Sequence, residues 1–128
     1  MQLKNKVILV TASTRGIGLS CIQSCAKEGA ICYMGARNLD LAKKQAEILN
    51  QKGYLVKYVY HDAQKPESYT EMMEHIIKQE GHLDVLINNF GTSNPQKDLD
   101  FIHTNMNDYF DIVTLNLRSV FLTSQLAV

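Results

Sequence analysis

The chain has 128 residues, 45% of them hydrophobic, which suits one ordinary domain with a single core and excludes a disordered or membrane-embedded protein. Thirteen basic side chains balance thirteen acidic ones with no block of like charge, so no electrostatic footprint for nucleic acid or an anionic membrane is present, and the expected partner is a small molecule. Residues 1–6 carry no signal-peptide core and no later apolar run spans a bilayer without a charge, which makes the cytoplasm the expected location.

The apolar run Val7 to Val10 predicts a first strand. It ends in Thr11-Ala12-Ser13-Thr14-Arg15-Gly16-Ile17-Gly18, and an amphipathic helix follows directly. Such a strand-turn-helix suits a dinucleotide. Glycine in the first helical turn lets backbone approach a pyrophosphate, and the free N–H groups and helix dipole favour its charge. The three cysteines, Cys21, Cys25 and Cys32, have no metal spacing and are expected as small buried core residues; no metal site is expected.

A second strand is predicted over Ile31 to Gly35. At its end, where an acidic residue would bind the ribose of NAD, the chain has Gly35-Ala36-Arg37. A neutral side chain followed by Arg leaves room for a 2′-phosphate and supplies a planar permanent cation, and Arg15 adds another, so NADP(H) is expected over NAD(H). The second helix, about Leu39 to Lys52, should turn Ala42, Ala46 and Leu49 inward and close before Gly53, with Lys43, Lys44 and Glu47 on its wet side.

The third strand, Leu55 to Tyr60, leads into His61-Asp62-Ala63, and the third helix starts at Pro66 with Tyr69, Met72, Met73, Ile76 and Ile77 inward. The fourth strand, Val85 to Ile87, leads into Asn88-Asn89-Phe90-Gly91. The last helix, from near Asn105, carries one stripe of Met106, Tyr109, Phe110, Val113, Leu117, Val120 and Phe121 and a second of Ile112, Leu115, Leu122 and Leu126. Two apolar faces require two neighbours, expected to be the sheet and either a further helix or another subunit, so a homo-oligomer through this helix is anticipated. The alternation predicts an α/β, Rossmann-type doubly wound parallel sheet of order 3-2-1-4, helices on both faces and the fourth strand at an open edge. No Gly, Asn or Pro ends the last helix, so residues 1–128 are expected to be the N-terminal portion of a Rossmann domain, prone to associate through its open edge.

Taken together, these motifs resemble the short-chain dehydrogenases/reductases over essentially the whole chain. The family's Thr-Gly-x-x-x-Gly-Ile-Gly is matched at Thr11, Gly16, Ile17 and Gly18, with Ala12 in place of the first glycine. The added methyl is tolerable at negative φ and costly at positive φ. The resemblance implies cofactor contacts from Thr11, Ser13, Thr14, Arg15, Gly16, Ile17, Gly18 and Arg37. It also implies that Asp62, beside Ala63, receives the adenine amino group, and that Asn88, Asn89, Phe90 and Gly91 tie the central strands and border the ribose. Phe90, Thr92 and Lys97-Asp98-Leu99-Asp100 look most like bacterial NADP-dependent hydroxysteroid dehydrogenases acting on bile acids, the 7α-specific ones above all.

The family's catalytic set is Asn, Ser, Tyr and Lys, and only the asparagine, Asn116, finds a match; it implies a helix opened locally around a water. None of the six tyrosines has a lysine four residues later. The expected function is therefore the cofactor-binding portion of an NADP(H)-dependent oxidoreductase for a hydroxyl/ketone pair on a steroid-like substrate, inactive by itself. The alternative is a non-catalytic nucleotide-binding or interaction module. A receiver-like signalling domain is excluded, because Thr11-Ala12 replaces the acidic pair that Mg2+ would need.

Overall fold

The computed structural model describes residues 1–128. Its elements are β1 (Val7–Thr11), α1 (Gly16–Lys27), β2 (Ile31–Ala36), α2 (Leu39–Asn50), β3 (Leu55–Tyr60), α3 (Pro66–Glu80), β4 (Val85–Ile87) and α4 (Met106–Ala127). All four strands are parallel, in the order β3-β2-β1-β4, with Val10 level with Met34 and Ile87. This is the expected doubly wound arrangement with helices on both faces.

β1 is buried along its whole length because it is central and covered on both sides, which is why it reads as an unbroken apolar run. Its side chains alternate between two cores. Ile8 and Val10 join Cys32 and Met34 under α1 and α2, whereas Val7 and Leu9 join Tyr33 under Met72, Met73 and Ile76 of α3. A second tie fixes the register of β4: Val7 N–H donates to Asp84 Oδ2 at 2.8 Å, and Asp84 N–H returns to Val7 O at 2.9 Å.

Helix boundaries follow local chemistry. Asn38 caps α2 by accepting from Leu41 N–H, Pro66 opens α3, and Gly81 closes it at a φ of 82° that side chains avoid. Three expectations need correction. Ile77 lies at the rim of the α3 face and is 44% exposed. Of the cysteines only Cys32 is buried, while Cys21 and Cys25 pack half-buried against the core beneath α1. Burial pushes the Cys32 thiol up to about 12, with Cys25 adding to the rise.

The third correction concerns α4, which packs on α3 and reaches the second core only at Ala127. Its buried residues are Ser119 and Thr123, not a leucine stripe. Small side chains let two helices approach closely, and Thr123 satisfies its hydroxyl by donating to Ser119 O at 2.6 Å. Most of the first apolar stripe, including Tyr109, Phe110, Leu117 and Phe121, is exposed. No helix is long and apolar enough to cross a membrane.

The two neighbouring isoleucines of α3 test which face is buried. Ile76→Ala, at a fully buried position, should lower the unfolding free energy by about 3 kcal/mol in urea titrations. Ile77→Ala should cost less than about 1 kcal/mol; equal losses would contradict the packing.

Candidate functional site

The carboxyl ends of β1, β2 and β3 and the loop after β4 enclose a cleft of about 370 Å³. It lies where the chain reverses direction across the sheet, between β1's two neighbours β2 and β4. Thr14, Arg15, Arg37, Asp62, Ala63, Phe90 and Gly91 line it, as do Ala12 and Gly35.

Behind the cleft, Thr11 joins two strand ends. Its buried Oγ1 accepts from Asn89 N–H at 3.0 Å and from Phe90 N–H at 3.1 Å, and Asn89 Nδ2 donates to Ala12 O at 2.9 Å. Gly18 fits against this knot without a side chain. A Cβ there would lie 2.5 Å from Asn89 Nδ2 and 2.8 Å from Ala12 O. Gly18 is thus required by close packing, and Gly16 by its φ of 60°. Ala12 adopts a φ of 51°, the sign at which its methyl group carries strain.

The other expected residues are placed as follows. Ser13 turns away from the cleft, fully buried, and its Oγ donates to Val10 O at 2.8 Å. Ile17 points to solvent, and Asn88 Nδ2 donates across to Ser124 Oγ of α4 at 3.1 Å. Asn116 engages the loop after β4: its Oδ1 accepts from Thr92 N–H at 2.9 Å and its Nδ2 donates to Thr92 O at 3.0 Å. α4 runs uninterrupted from Met106 to Ala127, so the opened helix expected around Asn116 is replaced by a two-point bond to the backbone N–H and C=O of one residue, Thr92. That bond satisfies the amide without breaking the helix.

Electrostatically the cleft is built for an anion. α1 alone among the helices has neither a side-chain cap nor an acidic residue in its first turn; α2, α3 and α4 carry Asp40, Glu67 and Asp108. Its first N–H groups and the positive end of its dipole are left for a ligand. Arg15 and Arg37, both exposed, form no ion pair with any carboxylate. On the far side, Asp62 is held by its main chain, with N–H donating to Ser68 Oγ at 3.0 Å, while its Oδ1 accepts from Gln64 N–H at 3.0 Å.

Sequence reasoning missed Asn38, Leu41, His61, Gln64, Thr92 and Leu115 as lining residues. Leu41 and Leu115 read as ordinary apolar helix positions, and their sequence carries no other signal. His61 stands next to Asp62, and that adjacency was the available clue. It is 4% exposed, its ring meets Tyr69 edge-on at 4.5 Å, and its Nε2 is buried without a partner. Burial lowers its pKa, partly offset by the Asp62 charge.

A family model described as short chain dehydrogenase matches residues 6–128. A 7alpha-hydroxysteroid dehydrogenase from Paraclostridium sordellii is 42% identical over 127 residues, covering 99% of this chain and 48% of the relative. A short-chain dehydrogenase/reductase from Serratia marcescens superposes with a TM-score of 0.87 at 27% identity, covering 99% of this chain and 51% of that one. A gluconate 5-dehydrogenase from Burkholderia cenocepacia, solved in complex with NADP and tartrate, shares the fold at a TM-score of 0.86 and 24% identity, over 98% of this chain and 48% of its own. The chain spans about half the length of the curated relatives it matches.

Two substitutions test the turn. Ala12→Gly should raise the unfolding free energy by about 1 kcal/mol by relieving the positive φ, and Gly18→Ala should lower it by about 2 kcal/mol or more through the clash. A loss with Ala12→Gly would contradict the assigned backbone. A pH series tests His61. Because its folded pKa lies below the unfolded value of 6.5, the unfolded chain binds the proton first, so stability is full above that value and declines as pH falls from it towards the folded pKa. Urea midpoints should show that decline, and His61→Gln should flatten it; an unchanged slope would mean that His61 does not titrate this way.

Proposed function

The chain belongs to the short-chain dehydrogenase family, and we propose that it is the cofactor-binding portion of an NADP(H)-dependent oxidoreductase acting on a hydroxyl/ketone pair. The observation that carries the nucleotide is the uncapped first turn of α1 beside two unpaired arginines. The first N–H groups of α1 receive the pyrophosphate, and Gly16, where a Cβ would meet only open space, keeps a side chain out of its way, while Gly18 seats the turn against the sheet. Arg37, with Arg15, takes the 2′-phosphate, since Gly35 and Ala36 put no carboxylate there to repel it. The free oxygen of Asp62 meets the adenine amino group, and the backbone from Asn88 to Gly91 borders the ribose beyond. NADP(H), when bound, supplies or accepts the hydride.

Asn116 holds the Thr92 backbone, and so the loop after β4, beside the cleft. The likeness to the Paraclostridium sordellii enzyme favours a hydroxysteroid, specifically a bile acid, as the substrate class. The exposed aromatic face of α4 supports assembly with a second copy. For the 128 residues taken by themselves, the absence of any Tyr-x-x-x-Lys favours the second reading, nucleotide binding without turnover.

Dissociation constants for NADPH and NADH, measured on the parent and on Arg37→Ala, test the cofactor. Loss of one phosphate-binding cation should weaken NADPH about tenfold or more and leave NADH nearly unchanged. An unaltered ratio between the two would remove the assignment.

A further inference from the structure

Arg118 of α4 has no part in the cleft described above, yet it reaches it from beneath. Its Nη2 donates to the carbonyl oxygen of Ala63 at 2.9 Å, and the Tyr69 hydroxyl of α3 donates to the same oxygen at 2.9 Å. Two helices thus occupy both acceptor positions of one carbonyl in the cleft wall. Arg118 is half-buried, forms no ion pair with a carboxylate, and leaves its Nε buried without an acceptor. A guanidinium so placed is a poor choice for stability alone, because an unmet buried donor and an unpaired charge both disfavour the folded state.

What this arrangement does fix is a peptide. The Asp62–Ala63 turn is held at its start by Ser68 and within itself by the Gln64 and Lys65 N–H groups on Asp62. The Ala63 carbonyl is the only point at which α4 is hydrogen-bonded to the turn. Clamping it sets the plane of the Ala63–Gln64 peptide and hence the direction in which Ala63 and the Asp62 carboxylate face the cleft.

We propose that Arg118 is a positioning residue for the adenosine end of the cofactor, holding the Asp62–Ala63 turn in its binding conformation and linking that turn to the helix that carries Asn116. This inference rests on the nucleotide reading above. One cation is expected to act through one carbonyl, so lysine can replace it whereas an apolar side chain of similar length cannot.

The test is binding of 2′,5′-ADP, which carries only the adenosine end, and of NADPH, by calorimetry on the parent, Arg118→Met, Arg118→Lys and Leu122→Ala. Leu122 is a half-buried α4 residue whose apolar side chain cannot hydrogen-bond the turn, and its truncation reports the effect of loosening the helix. Arg118→Met should weaken both ligands about tenfold, Arg118→Lys by less than about threefold, and Leu122→Ala by less than about twofold. Should Arg118→Met lose its circular dichroism, Tyr69→Phe removes the second donor to the same carbonyl and carries the same expectation. Equal binding by Arg118→Met and the parent, or an equal loss in Leu122→Ala, overturns the proposal while the nucleotide reading stands. A parent chain that binds neither ligand overturns both.

Discussion

The hydroxyl of Thr11 accepts two backbone N–H groups from the loop after β4, and the Asn89 amide answers by bonding the carbonyl of the next residue, Ala12. This small knot joins the end of the central strand to the end of its short neighbour, at the place where the chain must also turn into α1. The Thr11 oxygen accepts from two donors, one for each lone pair, which satisfies a buried acceptor at a strand end. The space left is so tight that Gly18 cannot carry even a methyl group. The first turn of α1 is consequently fixed against the sheet, and its free N–H groups have one orientation.

A fixed, uncapped helix terminus would ordinarily be a weakness, and the other three helices avoid it with an acidic residue in the first turn, joined in α2 and α4 by a side-chain cap. Here the positive end of the dipole adjoins Arg15 and Arg37, neither of which is neutralised by a neighbour. In a chain with no net charge, two unpaired arginines beside that terminus make this end of the cleft locally cationic, with Asp62 on its far side. Ala12, strained at positive φ, belongs to the same picture: strain at a functional turn persists when surrounding bonds over-determine it.

Much of this was legible in the residues. The period of the apolar pattern located all four strands and the starts of α2, α3 and α4 within a residue or two, because β1 to β3, α2 and α3 are held by burial, which is what periodicity reports. The place of the cleft was legible in Arg37 and Asp62, which line it, since strand ends are where an α/β sheet exposes its loops. What could not be read is how elements meet across distance. α4 buries Ser119 and Thr123, which carry no hydrophobic signal, and exposes the aromatic stripe that does. Ser13 looks like any hydroxyl in a phosphate-binding turn, and only the path of the chain turns it inward to Val10. The contact of Arg118 with Ala63 spans 55 residues and has no local trace.

The exposed face of α4 and the open edge at β4 are consistent with a chain that spans about half the length of its curated relatives. The central claim, that the turn after β1 and the ends of β2 and β3 together form one nucleotide cleft, is tested most directly by titrating the 15N-labelled chain with NADPH and following its amide cross-peaks. The account predicts saturable shifts gathered at Thr14 to Gly18, Arg37, Asp62 to Gln64 and Phe90 to Thr92, with the amides of the exposed α4 face unmoved. Shifts confined to α4, or none at all in a folded spectrum, would contradict it.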